Sequence, residues 1–404
     1  MSVPSTQTTT APFPWIGLLT LAGAIFVSVT SEFLPTGLLP DMARDLDVRL
    51  STAGYLVTVF AGTVVVATTP LAALTRRYSR KKLVIVVLLV IATANVLAAI
   101  APSYAFLVGA RILGGLAHGL FWAVVAAYSA HLVPKHQLGR AVAITAGGGS
   151  AAFVLGVPVG TALGHWLGWR VAFIIIAVVV VVLVLAVAKF LPPVDHHVPL
   201  ATGEIALPMR KDPTLAGVII VCVVILIVLT GQNTFYTYIA PWLTDVAGFE
   251  SGSIAGLLFL FGGAGVVGLF LAGFAADRFP ERGFAVGILA VMASVLALAL
   301  ASGTTAAVLV AFVVWGIAFG GVPAMLQTRL LRTASPRARD LAAALQTTAF
   351  NVGIGGGALL GGLLLDGVGL EALPYVEIAF LVVGLSVSVI GYALFARRSR
   401  RRLA

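Results

Sequence analysis

Twelve continuous apolar runs, most of about 20 residues, follow one another from end to end of this 404-residue chain. A run of that length crosses ~30 Å of hydrocarbon as a helix. The runs lie at about 15–38, 52–75, 83–101, 104–129, 140–164, 169–190, 214–242, 252–276, 283–302, 305–331, 341–365 and 372–395. Continuous runs exclude a transmembrane barrel, whose strands alternate apolar and polar residues. Composition agrees: the chain is 60% hydrophobic and 10% charged, against about 25% charged in soluble domains. The expectation is an all-α membrane protein with twelve transmembrane helices. The start, Met1 to Pro14, has no basic n-region or small-residue cleavage site, so the first run reads as a retained span. The single cysteine, Cys222, cannot form an internal disulfide.

Basic residues set the direction of the chain. With the N-terminus inside, only Arg44, Arg49 and Arg170 fall outside and Arg111 falls within a span. The rest of the 25 Lys and Arg lie on the inner side. Both termini are therefore expected in the cytoplasm, beside anionic headgroups. That placement accounts for the net charge of +10 and leaves no reason to invoke nucleic acid.

The chain also repeats itself at an offset of 201 residues. Pro40 matches Pro241, Gly62 matches Gly263 and Arg77 matches Arg278. The ladder Gly148, Ala152, Gly156, Gly160 matches Ala349, Gly353, Gly357, Gly361. Six spans per repeat is an even number, so the halves run parallel. The reading is an N-terminal half (1–190), a polar cytoplasmic linker (191–213) and a C-terminal half (214–404). His196 and His197 in the linker read as a solvated pair, and no metal-ligand cluster is expected.

Two such halves are the organisation of the major facilitator superfamily, and local motifs resemble it. The loop from Ala72 through Arg76, Arg77, Ser79, Arg80, Lys81 and Lys82 resembles that family's loop motif. The second copy, Gly273 through Asp277, Arg278 and Arg282, resembles it more closely. Arg111 to Gly115 followed by His118 to Trp122, Ser31-Glu32-Phe33, and Gly156-Val157-Pro158-Val159-Gly160 look like the drug and sugar efflux antiporters, the arabinose-efflux and chloramphenicol-resistance group. The departures are Ala72, Arg76 and Ser79 in the first loop and Val157 before Pro158. The resemblance implies a secondary transporter of a bacterial inner membrane, not an enzyme. It exchanges protons for a small amphiphilic drug-like or sugar-like solute, with no cofactor, and is expected to act as a monomer. A symporter or uptake carrier on the same fold is the first rival, and a non-transporting sensor or scaffold the second.

Glu32 reads as the one acid deep inside a span, where ionisation is costly and ionisable groups are functional by default. It lies about 9 Å from the outer end of its span, and Arg111 about 10 Å from the same surface at 1.5 Å per residue. Burial disfavours the ionised acid and a nearby guanidinium favours it, so the site can load and release a proton. Arg111, Gly115, His118 and Trp122 share one helix face by their 4-3-4 spacing, and His118 reads as a proton relay, a substrate ligand or a packed histidine bonded to a backbone carbonyl. The second half has Asn233 at the place of Glu32. A neutral wall of Gln232, Asn233, Phe235, Tyr236, Tyr238, Gln346, Phe350 and Asn351, with Phe33 and Trp122 opposite, is expected to bind substrate. The small-residue ladders, with Pro158, suggest close helix packing, either as a rigid pair at the seam between halves or as plain helix packing. On the cytoplasmic face, Asp277 is expected to meet Arg140, and Arg76 to meet Asp340, as latches flanked by Arg77 and Arg278. A dinucleotide fingerprint at Gly263, Gly265 and Gly268 lies inside an apolar span without its strand and carries no weight.

Overall fold

The computed structural model describes residues 13–75, 77–134, 137–193, 212–335 and 337–403. The linker histidines lie outside the described residues. Twelve helices are long and apolar enough to cross a membrane: Trp15–Asp45, Leu50–Leu74, Arg80–Ala99, Tyr104–Val125, Arg140–Leu167, Trp169–Phe190, Leu215–Tyr236, Ser251–Phe274, Arg282–Leu300, Thr305–Thr333, Leu341–Val368 and Leu370–Gly391. We number them spans 1 to 12. No strand occurs among the described residues. Hydrocarbon leaves the backbone no partner but itself, and a helix satisfies it within one segment.

Prolines decide where the helices depart from regularity. Span 1 carries Pro35 and Pro40 inside a continuous helix. Span 5 widens into a π turn at Ala152–Gly156, just ahead of Pro158. Two runs expected to be single helices are broken. The seventh stops at Tyr236 and resumes as the short turn Ile239–Pro241, because Pro241 lacks an N–H and its ring crowds the carbonyl four residues back. The tenth divides into Thr305–Gly320 and Val322–Thr333, with Pro323 in the first turn of the second piece.

The glycine ladders pack helices closely inside each half, and not at the seam, the other of the two readings. A Cβ at Gly148 would strike the carbonyl of Ala22 in span 1, and one at Gly156 would strike Thr30. Ala152 is fully buried between them, and Gly160 faces Leu34. The second ladder repeats this: Gly353 meets Leu229, Gly357 meets the Thr230 carbonyl and Gly361 the Thr234 carbonyl, all in span 7. Small residues let these backbones approach closely. Spans 1 and 5, and spans 7 and 11, are thus locked into rigid pairs.

The halves meet through other faces of spans 2, 5, 8 and 11. Thr58 Oγ1 donates to the Gly355 carbonyl at 2.9 Å, and Ser51 Oγ to Asp366 at 2.8 Å. Arg49 stands 3.3 Å from Asp366. Tyr238 fills the space over Gly54 and donates to the Ala358 carbonyl at 2.9 Å. Gly262 of span 8 lies against the Phe153 carbonyl of span 5. These contacts run from mid-span to the end remote from the termini. Toward the other end the partners separate. Val142, Ala143, Ala146 and Gly147 of span 5 are exposed, and so are Ala343, Ala344, Thr347 and Thr348 of span 11. Those two strips are related by the 201-residue offset and are mostly small or polar, unlike a lipid-facing surface. The molecule is open toward the end that carries its termini.

Candidate functional site

Pro35 inside span 1 creates the first element of the site. Pro35 offers no N–H, so the carbonyl of Ser31 one turn back loses its helical donor. Arg111 of span 4 takes that carbonyl: its Nη1 donates to Ser31 O at 2.9 Å and its Nη2 to Glu32 O at 2.9 Å. The guanidinium carbon lies 4.1 Å from the centre of the Phe60 ring, a cation–π contact. Gly115, one turn further along span 4, lets span 2 approach to the Phe60 carbonyl. Arg111 and Glu32 thus share a level, but the guanidinium holds backbone and not the carboxylate.

The carboxylate instead faces His118. Glu32 Oε2 lies 3.3 Å from His118 Nε2. The same nitrogen receives the indole N–H of Trp122 at 2.8 Å, and His118 Nδ1 lies 2.9 Å from Ser28 Oγ. Glu32, Arg111 and His118 are all at most 5% exposed. An indole N–H only donates, so Nε2 is an acceptor and the imidazole proton sits on Nδ1, toward Ser28. An ionised Glu32 would then place a second acceptor against Nε2. A proton on the carboxyl resolves the conflict, whereas one on Nε2 would meet the indole N–H donor to donor. The geometry is that of a protonated carboxyl beside an imidazole nitrogen that accepts. Ser31 Oγ donates to Asn95 of span 3 at 3.0 Å and extends the polar network.

Ser28, Asn95 and Phe60 were missed from sequence. Ser28 carried a usable signal, since it stands one helical turn before Glu32. Asn95 is the lone amide of an apolar span and was equally open to suspicion.

The wall expected to be neutral and substrate-lined is different in kind. Phe235 and Tyr238 are fully buried. Phe235 stacks on Trp315 at 5.2 Å and 14°, and Tyr238 belongs to the seam. Gln232 accepts from the Trp315 indole at 3.3 Å. Asn233 bonds back to its own helix at Leu229 O, and Asn351 does the same at Thr347 O. Tyr236 packs edge-on to Trp315 and against Phe261, and Phe33 packs on Phe153 at 4.9 Å. Trp122, Gln346 and Phe350 keep partial exposure. The expectation that the second half lacks a buried acid fails: Glu377 of span 12 is 0% exposed. It was missed because it lies only a few residues into its run.

The latch residues are apart or undescribed in this conformation. Arg140 is exposed and lays its guanidinium over the rings of Phe13 and Trp15, 4.6 Å from each. Arg77 and Arg278 are exposed. Arg76 and the side chains of Asp277 and Asp340 lie outside the described residues.

Among the described residues no cluster of metal-ligating side chains forms. The Major Facilitator Superfamily sequence model matches residues 21–338 and, in a second alignment, 221–403. The chain belongs to the Major Facilitator Superfamily. Two matches starting 200 residues apart fit the offset that relates the halves. Two crystal structures of a bacterial homologue of the human lysosomal transporter Spinster share the fold. The inward-facing occupied form has 15% identity and a TM-score of 0.73, covering 97% of this chain and 98% of that one. The inward-facing unoccupied form has 17% identity and a TM-score of 0.69, with the same coverage. As a facilitator-family member, the chain is a multi-pass membrane protein with the fold of a secondary transporter of small molecules.

Proposed function

We propose that this transporter is a proton-coupled antiporter that expels a small amphiphilic drug-like or sugar-like solute. The observation that carries the reading is Glu32 Oε2 at 3.3 Å from His118 Nε2, a nitrogen already occupied by the Trp122 N–H. The bonds of that triad are all satisfied when the carboxyl carries a proton. Trp122 keeps partial exposure, so a substrate that displaces the indole frees the imidazole and changes where the proton resides. Coupling follows: substrate and proton compete for one set of groups, as exchange requires.

The membrane is a bacterial inner membrane, with both termini in the cytoplasm and anionic lipid beside the basic loops. The protein works as a monomer of two halves, 1–190 and 214–404, rocking about the seam with 191–213 as the tether. Trp122, Tyr236, Gln346 and Phe350 contact the solute, and Asp277–Arg140 and Arg76–Asp340 latch the cytoplasmic side in the opposite state. Each proton entering is driven by about 2.3 kcal/mol per 100 mV.

The test is transport in inverted vesicles energised acid-inside, with candidate drugs and sugars first screened by thermal shift of the purified protein. An antiporter accumulates the solute in these vesicles. Accumulation only when the gradient is reversed would identify a symporter, and gradient-independent equilibration a facilitative carrier.

A further inference from the structure

Glu377 takes no part in the site above, yet it is as deeply buried as any group in the molecule. It lies in the second turn of the long helix Leu373–Leu403 and is 0% exposed, and neither carboxyl oxygen has a hydrogen-bond partner among the described residues. Span 7 closes over it: a Cβ on Gly231 would come within 3.2 Å of the Glu377 carbonyl and 2.6 Å of Phe380 Cβ. The indole of Trp315 is the polar group that reaches toward the carboxyl, but its N–H donates to Gln232 Oε1 at 3.3 Å. Stacked Phe235, with Phe261 and Phe312, completes an aromatic surround about Trp315.

Among the described residues no ion pair with Glu377 forms, and Arg329 of span 10 is held by Ser388, eleven residues further along the Glu377 helix. Span 7 offers only Cys222 and Tyr236 as titratable groups, and Tyr236 packs on Trp315. Span 9 offers Arg282, at its far end. Asp366 of span 11 is engaged by Ser51 and Arg49. Glu371, just ahead of the same helix, is exposed. An ionised carboxylate that is fully buried and without a counter-charge among the described residues is costly in such surroundings, and burial of this kind favours the neutral acid. Its neighbours Gly231 and Gln232 directly precede Asn233, the position that the repeat aligns with Glu32. Each half therefore buries one acid near the same place in its bundle, on a different helix.

We propose that Glu377 is a second proton-binding site of the transporter, held loaded in the conformation open toward the termini. On loading, a carboxyl O–H bond forms with a proton from water. On release that bond breaks and the proton returns to water, once the halves rearrange and the carboxylate is hydrated or meets the Trp315 N–H. A proton is the ligand that suits the site, since the carboxyl is fully buried and offers no open space to a larger one. The inference deepens the proton-coupled reading but does not depend on Glu32 being the carrier.

Infrared spectroscopy of the purified full-length protein tests it, in the Glu32→Gln background so that the first acid is silent. The expected result is a carboxylic C=O band that disappears from acid to alkaline pH and is absent after Glu377→Gln. Trp315→Phe, which removes the neighbouring donor, should move that band if Glu377→Gln fails to fold. A spectrum with no band sensitive to either substitution overturns the proposal, and so does a Glu377 band unchanged across the whole pH range. If instead Glu32→Gln pumps uphill normally, the coupling assignment of Glu32 fails while the Glu377 band stands on its own.

Discussion

Arg111 donates to the Ser31 carbonyl, the one that Pro35 leaves without a helical partner, at 2.9 Å. The proline and the cation are two halves of one device. The proline removes a donor from the middle of span 1, and the guanidinium of span 4 supplies a charged one in its place. A fork with two usable N–H groups can hold consecutive carbonyls, which an ammonium cannot do with the same geometry. Arg111→Lys should therefore cost about 1.5–3 kcal/mol, the worth of one hydrogen bond to a charged group. Thermal unfolding in detergent reads this, and an unchanged midpoint would mean that the clamp carries no stability.

Glu32→Gln should abolish uphill accumulation in energised vesicles while leaving the unfolding midpoint nearly unchanged. The amide is isosteric and can still meet His118, so stability should move by no more than about 1 kcal/mol. Uphill pumping at a normal rate in this variant would remove Glu32 from the coupling path.

Asp366 ties Ser51 and Arg49 across the seam, and its loss should loosen that end. Asp366→Ala should shift the balance between states by roughly 1–2 kcal/mol, a factor of about 5 to 30, toward separation of spans 2 and 11 at the end remote from the termini. Spin-label distances between those ends are the measurement. Unchanged distance distributions would reduce the contact to surface decoration.

At the opposite end, Arg140 rests on Phe13 and Trp15 in the open form. Closing that end should transfer it to Asp277. Asp277→Arg should hold the termini side open and slow transport, and adding Arg140→Asp should restore part of the rate. Exposed pairs contribute only ~0.2–1 kcal/mol, so a partial effect is expected. Cross-linking yields between spans 5 and 8 that ignore both substitutions would dismiss the latch.

Asp212 sits just ahead of the helix Leu215–Tyr236, outside the span. It accepts from Ser335 Oγ at 2.6 Å and from the Thr214 N–H at 2.8 Å. These bonds, Ser335 first, hold its carboxyl below the usual aspartate value. A depressed acid stabilises the fold above its unfolded value and loses that contribution as pH falls through the folded one. The Asp212→Asn variant should therefore match the parent in strong acid and be less stable at neutral pH. Unfolding midpoints that differ by the same amount at both would contradict this.

The fold was legible because a bilayer permits so few structures: continuous apolar runs of this length are helices, and an even number per repeat makes the halves parallel. Glu32, Arg111 and His118 were legible for a related reason, since each is costly in lipid and each stood out. Partnership was harder to read. Both Arg111 and Glu32 are near one level, but the choice between carbonyl and carboxylate depends on the side-chain path around Phe60, and spacing does not encode that. The ladders of spans 5 and 11 announced a close contact without naming the partner, because a glycine records closeness and not direction. Glu377 escaped because depth was judged by distance along its own span, whereas burial depends on the neighbours, and span 7 closes over it through Gly231.

The tie between Arg49 and Asp366 sits at a water boundary, with side chains 77% and 34% exposed. Mobile ions reach it freely, over a Debye length of about 8 Å at physiological ionic strength, whereas Glu32, His118 and Glu377 are sealed from them. Total salt in the compartment bathing that end therefore acts as a brake setting, altering how readily the door there comes unfastened without touching the proton affinity of the interior. A cell that concentrates or dilutes the medium on one side of the membrane would tune the turnover of this transporter from that side alone.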